Sequence, residues 1–473
     1  MKHTYTQEER LQQMLNEPVK KLIPGLAVPT IISMLVSAIY NMADTFFVSQ
    51  ISTSASAAVG VIFSLMAFIQ AIGFLMGQGA GVSVAKYLGR KQTEEASVIA
   101  AVSYFTTLFI GLIVFVSGTV FLKPMIYLLG ATDTIYPYAA DYCRYILIAA
   151  PFMISSFVMN NLLRNEGNAF FAMIGISAGG ILNLFLDPLM IFGFGWGIAG
   201  AAIATMLSQM ISFGILLWQC NTRTGCIPLR WKNFKPTAEL FRTILHVGLP
   251  SFCRQGLASL ATVILNVSAV PFGDAAIAAM SIVNRIIMMI YSGMLGFGQG
   301  FQPVCSYNFG ARRYDRILDA FRFSVKVAVI WLTSLGVIAF ASANPLITAF
   351  RRNDPEVIRI GVTALRFYVL TLPVQAWVVL VNMLTQSIGY GFRSSIVSLG
   401  KQGIYFIPAI LILPHIIGIT GIEIAQPVAD IFTAITATVI VIPVLRSLKN
   451  GTIPDEEPPL GVKFARAAED TEE

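Results

Sequence analysis

Twelve runs of predominantly apolar residues follow one another along this 473-residue chain, near residues 24–48, 57–85, 97–121, 136–163, 169–192, 197–218, 243–270, 275–307, 319–341, 356–387, 394–414 and 418–445. About twenty such residues cross the hydrocarbon core of a bilayer. Inside lipid each backbone polar group needs an internal partner, so every run is expected to be a helix. A membrane β-barrel would instead show short segments of alternating hydrophobicity. Composition agrees: 12% of residues are charged, about half the share of a soluble domain. A soluble enzyme is thereby excluded.

Residues 1–21 are polar and mixed in charge, unlike a signal peptide. They read as a cytoplasmic lead-in with an amphipathic helix. Residues 22–218 form a first lobe, 219–238 a polar linker rich in Arg and Lys, 239–447 a second lobe and 448–473 a charged, Pro-rich tail expected to be disordered. Basic residues concentrate in alternate loops: Lys86, Arg90 and Lys91; Arg164; the linker; Arg312, Arg313 and Arg316; Arg393. The opposite loops hold little besides Lys123, Arg351 and Arg352. The basic set is expected to be cytoplasmic, with both termini inside a cell (inner) membrane. This bias accounts for the net charge of +7 without nucleic acid. The five cysteines (Cys143, Cys220, Cys226, Cys253, Cys305) are scattered and read as packing residues, and the three histidines are dispersed. With no P-loop pattern, ATP is not expected as the direct energy source.

The lobes repeat each other. Gly77-Gln78-Gly79 returns as Gly298-Gln299-Gly300, an offset of 221 residues. Pro29 and Pro250, Gly89 and Gly310, and the segments from Gly197 and from Gly418 keep the same offset; Pro151 and Pro373 differ by 222. Such a register along the chain marks duplication. Six spans per copy give both halves one orientation, related by a pseudo-two-fold axis along the membrane normal. Substrate is expected to pass between the two lobes as they rock, which disfavours a passive channel.

Carboxylates inside a bilayer are costly and call for a partner or a role. Asp44 lies in the first span with Tyr40 four residues earlier, and Asp187 lies in the fifth with Asn183 four residues earlier. Each pair therefore shares a helix face. Pro188 removes a backbone donor beside Asp187 and frees a carbonyl. This hard-oxygen set suits Na⁺, or a proton shared between like charges. The alternative is a pair of carboxylates capped by neighbouring hydroxyls and amides, with no transport role. Asp141 and Arg144 are expected to pair near the interface. The second half puts Leu265 opposite Asp44 and Pro408 opposite Asp187, and carries Arg254, Arg285, Arg366, Lys401 and Asp430 within its spans. Asp430 is expected to pair with a basic residue; alternatively the basic groups face the cavity and meet an anionic part of the substrate.

Tyr40-Asn41-Met-Ala-Asp44-Thr45, Met76-Gly77-Gln78-Gly79 through Gly89-Arg90-Lys91, and Asn183-Leu-Phe-Leu-Asp187-Pro188 followed by Gly197-Ile-Ala-Gly200 through Thr205 resemble the multidrug and toxic compound extrusion (MATE) family, over roughly residues 18–448. The resemblance implies an antiporter that expels organic cations or other amphipathic compounds against inward H⁺ or Na⁺, with no cofactor. It further implies a cation site of Asp44, Tyr40, Asn160, Asn183, Asp187 and Thr205, with Na⁺ possible at Asp44, Asn183 and Asp187. Family acids of the seventh and tenth spans are missing from Ser251-Phe-Cys253-Arg254-Gln255 and Leu372-Pro373, so coupling is expected in the first lobe. Asn41, Arg254, Arg285 and Met288 are cavity candidates. A monomer is expected. The nearest rival is a lipid-linked oligosaccharide flippase of the same superfamily; a membrane-embedded enzyme lacks any supporting constellation of Ser, His and Asp.

Overall fold

The computed structural model describes residues 6–223, 225–351 and 354–451. Within them the regular elements are all helical. After α1 (Gln7–Asn16), the first lobe contains α2 (Val19–Ser49), α3 (Thr53–Gly89), α4 (Thr93–Val120), a short α5 (Leu122–Leu128), α6 (Tyr136–Asn165), α7 (Ala169–Pro188) and α8 (Gly197–Thr222). The second contains α9 (Ala238–Ala269), α10 (Asp274–Gly310), α11 (Tyr314–Ala341), a short α12 (Ala343–Phe350), α13 (Pro355–Leu370), α14 (Leu372–Ser387), α15 (Gly391–Leu399), α16 (Phe406–Ile417) and α17 (Ile419–Asn450). Eleven helices are long and apolar enough to cross a membrane, and the bent pair α13–α14 makes a twelfth span. Large apolar side chains such as Phe46, Phe185, Val263 and Val439 are exposed, as suits a protein whose solvent is largely lipid. Most of the tail, from residue 452, lies outside the described residues.

Three spans depart from plain α-helix, the eleventh through a π-helical turn, Gly400–Ile404, between α15 and α16. The tenth was expected to run unbroken over 356–387; it breaks at Thr371 and bends by 50°. Pro373 has no amide hydrogen for the preceding turn, and the Thr371 hydroxyl bonds the Tyr368 carbonyl at 2.9 Å. Pro151, its repeat counterpart, sits inside the unbroken α6. In the fifth span, Pro188 is followed by a wide π-helical turn, Leu189–Gly193.

The repeat is visible in the packing. Across the lobes, α2 packs on α10, and α3 packs on α9 and α10. A Cβ at Gly89 would overlap the Tyr307 carbonyl, and one at Gly310 would overlap the Lys86 carbonyl. Both members of the second pair stand 221 residues from those of the first. Lys91 and Arg312, the two described non-glycine residues with left-handed backbone (φ 64° and 57°), are also 221 apart. Further along, Gly79 meets Ile244, Gly248 meets Leu75, Gly296 meets Ile31 and Gly300 meets Ala27, all backbone to backbone. Arg164 adds a hydrogen bond to Gln299 across the seam at 2.8 Å. These approaches all lie in the halves of the helices nearest the basic loops. Two turns beyond Gly248, Gly256 has no neighbour within 4 Å of a would-be Cβ. The lobes are therefore sealed at the basic-loop end.

Helix α1 crosses that sealed end. Thr6 and Glu9 form a capping box, and Met14 is fully buried. Arg10 donates to Asn168 of the first lobe at 2.9 Å. From the second lobe, Arg313 donates to the Leu15 carbonyl at 2.8 Å and Arg316 to the Glu17 carbonyl at 2.7 Å. Cations at a helix C-terminus meet the negative end of its dipole and its unpaired carbonyls.

Candidate functional site

The acids meet inside the first lobe, where α2 packs on α7 and α7 on α8. Gly180 makes the approach possible: a Cβ there would come within 2.8 Å of the Tyr40 ring. Asn183 and Asp187, one helical turn apart on α7, are 2% and 0% exposed. The Asn183 amide donates to Asp187 Oδ1 at 3.0 Å and to Thr205 Oγ1 at 3.4 Å. One side chain thus holds the carboxylate and the α8 hydroxyl together. Asp44 and Asp187 are near enough to feel each other's charge, and Tyr40 feels both.

What remains unmatched defines the site. Asp44 Oδ1, Asp187 Oδ2 and Asn183 Oδ1 are buried and accept no hydrogen bond. A single buried acceptor without a partner costs about 1–3 kcal/mol, and more if charged. Three acceptors with no donor among them suit a small cation or a proton.

Sequence reasoning missed Tyr142 of α6. Its side chain is fully buried, its hydroxyl donates to Met66 Sδ at 4.0 Å, and it lies inside the field of Asp44 and Asp187. The sequence offers little signal for it, since Tyr142 is one of four tyrosines between residues 136 and 145. Asp141 pairs with Arg144 at 3.5 Å on an exposed face. Gln209 of α8, beside Tyr40, was also missed.

Asn160 has a different setting. Its amide donates to the Ala172 carbonyl at 2.9 Å, tying α6 to α7. In the second lobe Asn382 donates to the Ser394 carbonyl at 2.8 Å, and both residues are displaced by 222. The same tie thus serves the scaffold in both lobes. Asn160→Ala and Asn382→Ala should each lower stability by about 1–3 kcal/mol, read as matched falls in melting temperature. Loss of coupling in Asn160→Ala at unchanged melting would instead make it a ligand.

The other candidates separate. Asn41 donates back to the Ser37 carbonyl at 2.8 Å. Arg285 and Met288 are exposed on α10, whereas Arg254 lines an internal cleft of the second lobe. Arg366 lies 5.2 Å over the Phe340 ring. The pairing expected of Asp430 is corrected. Its carboxylate accepts from Thr371 (3.2 Å), Gln375 (2.8 Å) and Gln426 (3.1 Å). Lys401 is joined to it through Gln375, at 3.2 Å. Three neutral donors satisfy this carboxylate where a direct ion pair was anticipated.

A two-lobed helical membrane protein with a buried cluster of unpartnered oxygens in one lobe is the class that these features define. The sequence profile of the MatE family matches residues 29–189 and 250–411, one stretch per lobe, and the chain belongs to that family. It is similar to the multidrug export protein MepA of Staphylococcus saprophyticus subsp. saprophyticus, 26% identical over 92% of this chain and 96% of the relative. MepA of Staphylococcus aureus is 25% identical over 92% and 96%. Among solved structures, an outward-facing multidrug resistance MATE family transporter of the MOP superfamily superposes with a TM-score of 0.88 at 26% identity, covering 93% of this chain and 98% of the other. A MATE structure in the bent conformation gives 0.87 at 25% identity, covering 95% and 100%.

Proposed function

We propose that this protein is a secondary antiporter that exports amphipathic compounds, organic cations among them, in exchange for inward H⁺ or Na⁺. The observation that carries the reading is the trio of buried, unpartnered oxygens on Asp44, Asn183 and Asp187. The relatives named for multidrug export supply the substrate class. With the basic loops cytoplasmic, the sealed end faces the cytoplasm and the lobes part toward the outside.

Helix α2 links the ion site to the seal. Asp44 lies on its far half, while Ala27 and Ile31 pack on α10 within the seal. Pro24 and Pro29 interrupt its hydrogen-bond ladder on the seal side. A cation on Asp44 and Asp187 cancels their repulsion and lets α2 settle closer to α7. That changes the packing of α2 on α10, and so the balance between states open to either side. Bound ion and bound drug thereby favour different states.

The test is dye efflux from vesicles holding the purified protein, with ΔpH and ΔNa⁺ imposed separately. Efflux is expected under one gradient and absent without any. No efflux under either gradient would sink the proposal.

A further inference from the structure

The second lobe holds a narrow, largely apolar cleft with two basic side chains in its lining, and the acid site does not use it. It lies between α9, α10, α14 and the turn after α15, with Arg254, Tyr291, Asn382, Ser398, Lys401 and Gln402 in its lining. It begins just beyond the lobe seal, since Arg254 follows Gly248 by under two turns of α9. Arg254 Nη1 is buried and has no hydrogen-bond partner. Lys401, 6% exposed, sits 3.9 Å over the Tyr291 ring centroid. Its one polar contact is Gln375, at 3.2 Å. The nearby acid, Asp430, is already held by Thr371, Gln375 and Gln426. Arg164 reaches toward the same region from the first lobe, near enough for its charge and that of Arg254 to repel.

Positive charge thus exceeds negative charge inside the membrane, where an uncompensated cation is costly. The scaffold does not require it. At the offset of 221, Arg254 falls opposite Ser33 and Lys401 opposite Gly180, while the asparagine clamp beside them is common to both lobes. A guanidinium with a free donor matches a carboxylate in geometry as well as charge, and Asn382 and Ser398 stand beside it in the lining. The cleft is narrow and admits one small group, not a ring system.

We propose that this cleft receives the carboxylate of an exported amphipathic compound, so that the transporter favours zwitterions over simple cations. This assignment rests on the efflux reading above for its physiological meaning, but not for its test. A rhodamine carboxylate and its methyl ester differ by that one charge. Fluorescence anisotropy on the purified protein in nanodiscs should show the carboxylate bound at least about tenfold more tightly, roughly the worth of a charge-assisted hydrogen bond. Arg254→Gln and Lys401→Gln should each erase that preference by weakening the carboxylate dye alone, with the cationic ester bound at least as tightly as by the parent protein, and Arg254→Lys should keep part of it. If Lys401→Gln unfolds the lobe, Arg254→Gln decides alone, because its free Nη1 has no partner to lose. Equal binding of both dyes by the parent protein, or equal weakening of both in Arg254→Gln, would overturn the assignment. Retained carboxylate preference without gradient-driven efflux would defeat the antiporter reading and leave this site standing.

Discussion

Asp187→Asn protein is expected to insert, fold and melt at or above the parent temperature, yet to move dye no faster than empty vesicles under any imposed gradient. Two effects separate here. The amide oxygen of asparagine can still accept from Asn183, which donates to Asp187 Oδ1 at 3.0 Å within α7, and the Asn183 bond to Thr205 that links α7 to α8 is untouched. A buried charge with an unpartnered oxygen disappears, which removes a desolvation cost. What is lost is the only thing a neutral amide cannot do, to gain and shed a cation within the cycle. Asp44→Asn should behave alike, with flux reduced at least tenfold, or about 1.4 kcal/mol in the coupling step. Scanning fluorimetry and vesicle efflux together make the test. Full efflux in both variants removes the first-lobe assignment, and unfolding of both would recast the acids as structural.

Gly89→Val and Gly310→Val should hold the lobes apart at the basic-loop end. Each new side chain would meet a backbone carbonyl, of Tyr307 or of Lys86, and a carbonyl within a helix cannot rotate away as a flexible side chain can. Since both contacts are backbone to backbone, relief requires moving one lobe. Spin labels at Arg90 and Ala311, repeat equivalents lying beside those contacts, should report a distance longer by several ångströms, on the scale of an inserted side chain. Transport should fall at least tenfold, because one of the two end states is no longer reached. Unchanged label distances with normal transport would show that the seal is not part of the cycle.

The fold was legible because a membrane writes its thickness into the sequence. Each span appears as a run of fixed length, and the expected twelve agree with the helices to within a few residues. The duplication was legible for another reason: Gly89 and Gly310 answer to close backbone contacts that no other residue type fits, so they persist while their surroundings diverge. Asp44 and Asp187 stood out because acids are rare in apolar runs. Tyr142 did not, because tyrosine is ordinary in a span and its relevance depends on which way α6 turns. The break at Thr371 was hidden because Pro151, its counterpart's neighbourly equivalent in the first lobe, is absorbed without one. The pairing of Asp430 failed for a related reason: sequence ranks partners by charge, whereas the fold supplies Thr371, Gln375 and Gln426 at shorter reach.

Helix α1 is anchored to the first lobe by Arg10 and Asn168 and to the second by Arg313 and Arg316. If the lobes separate at this end, as the proposed cycle requires, α1 cannot keep both sets of bonds. It would have to travel with one lobe and abandon the other at each opening. The weaker of the two grips of this ten-residue helix would then set a threshold for that opening.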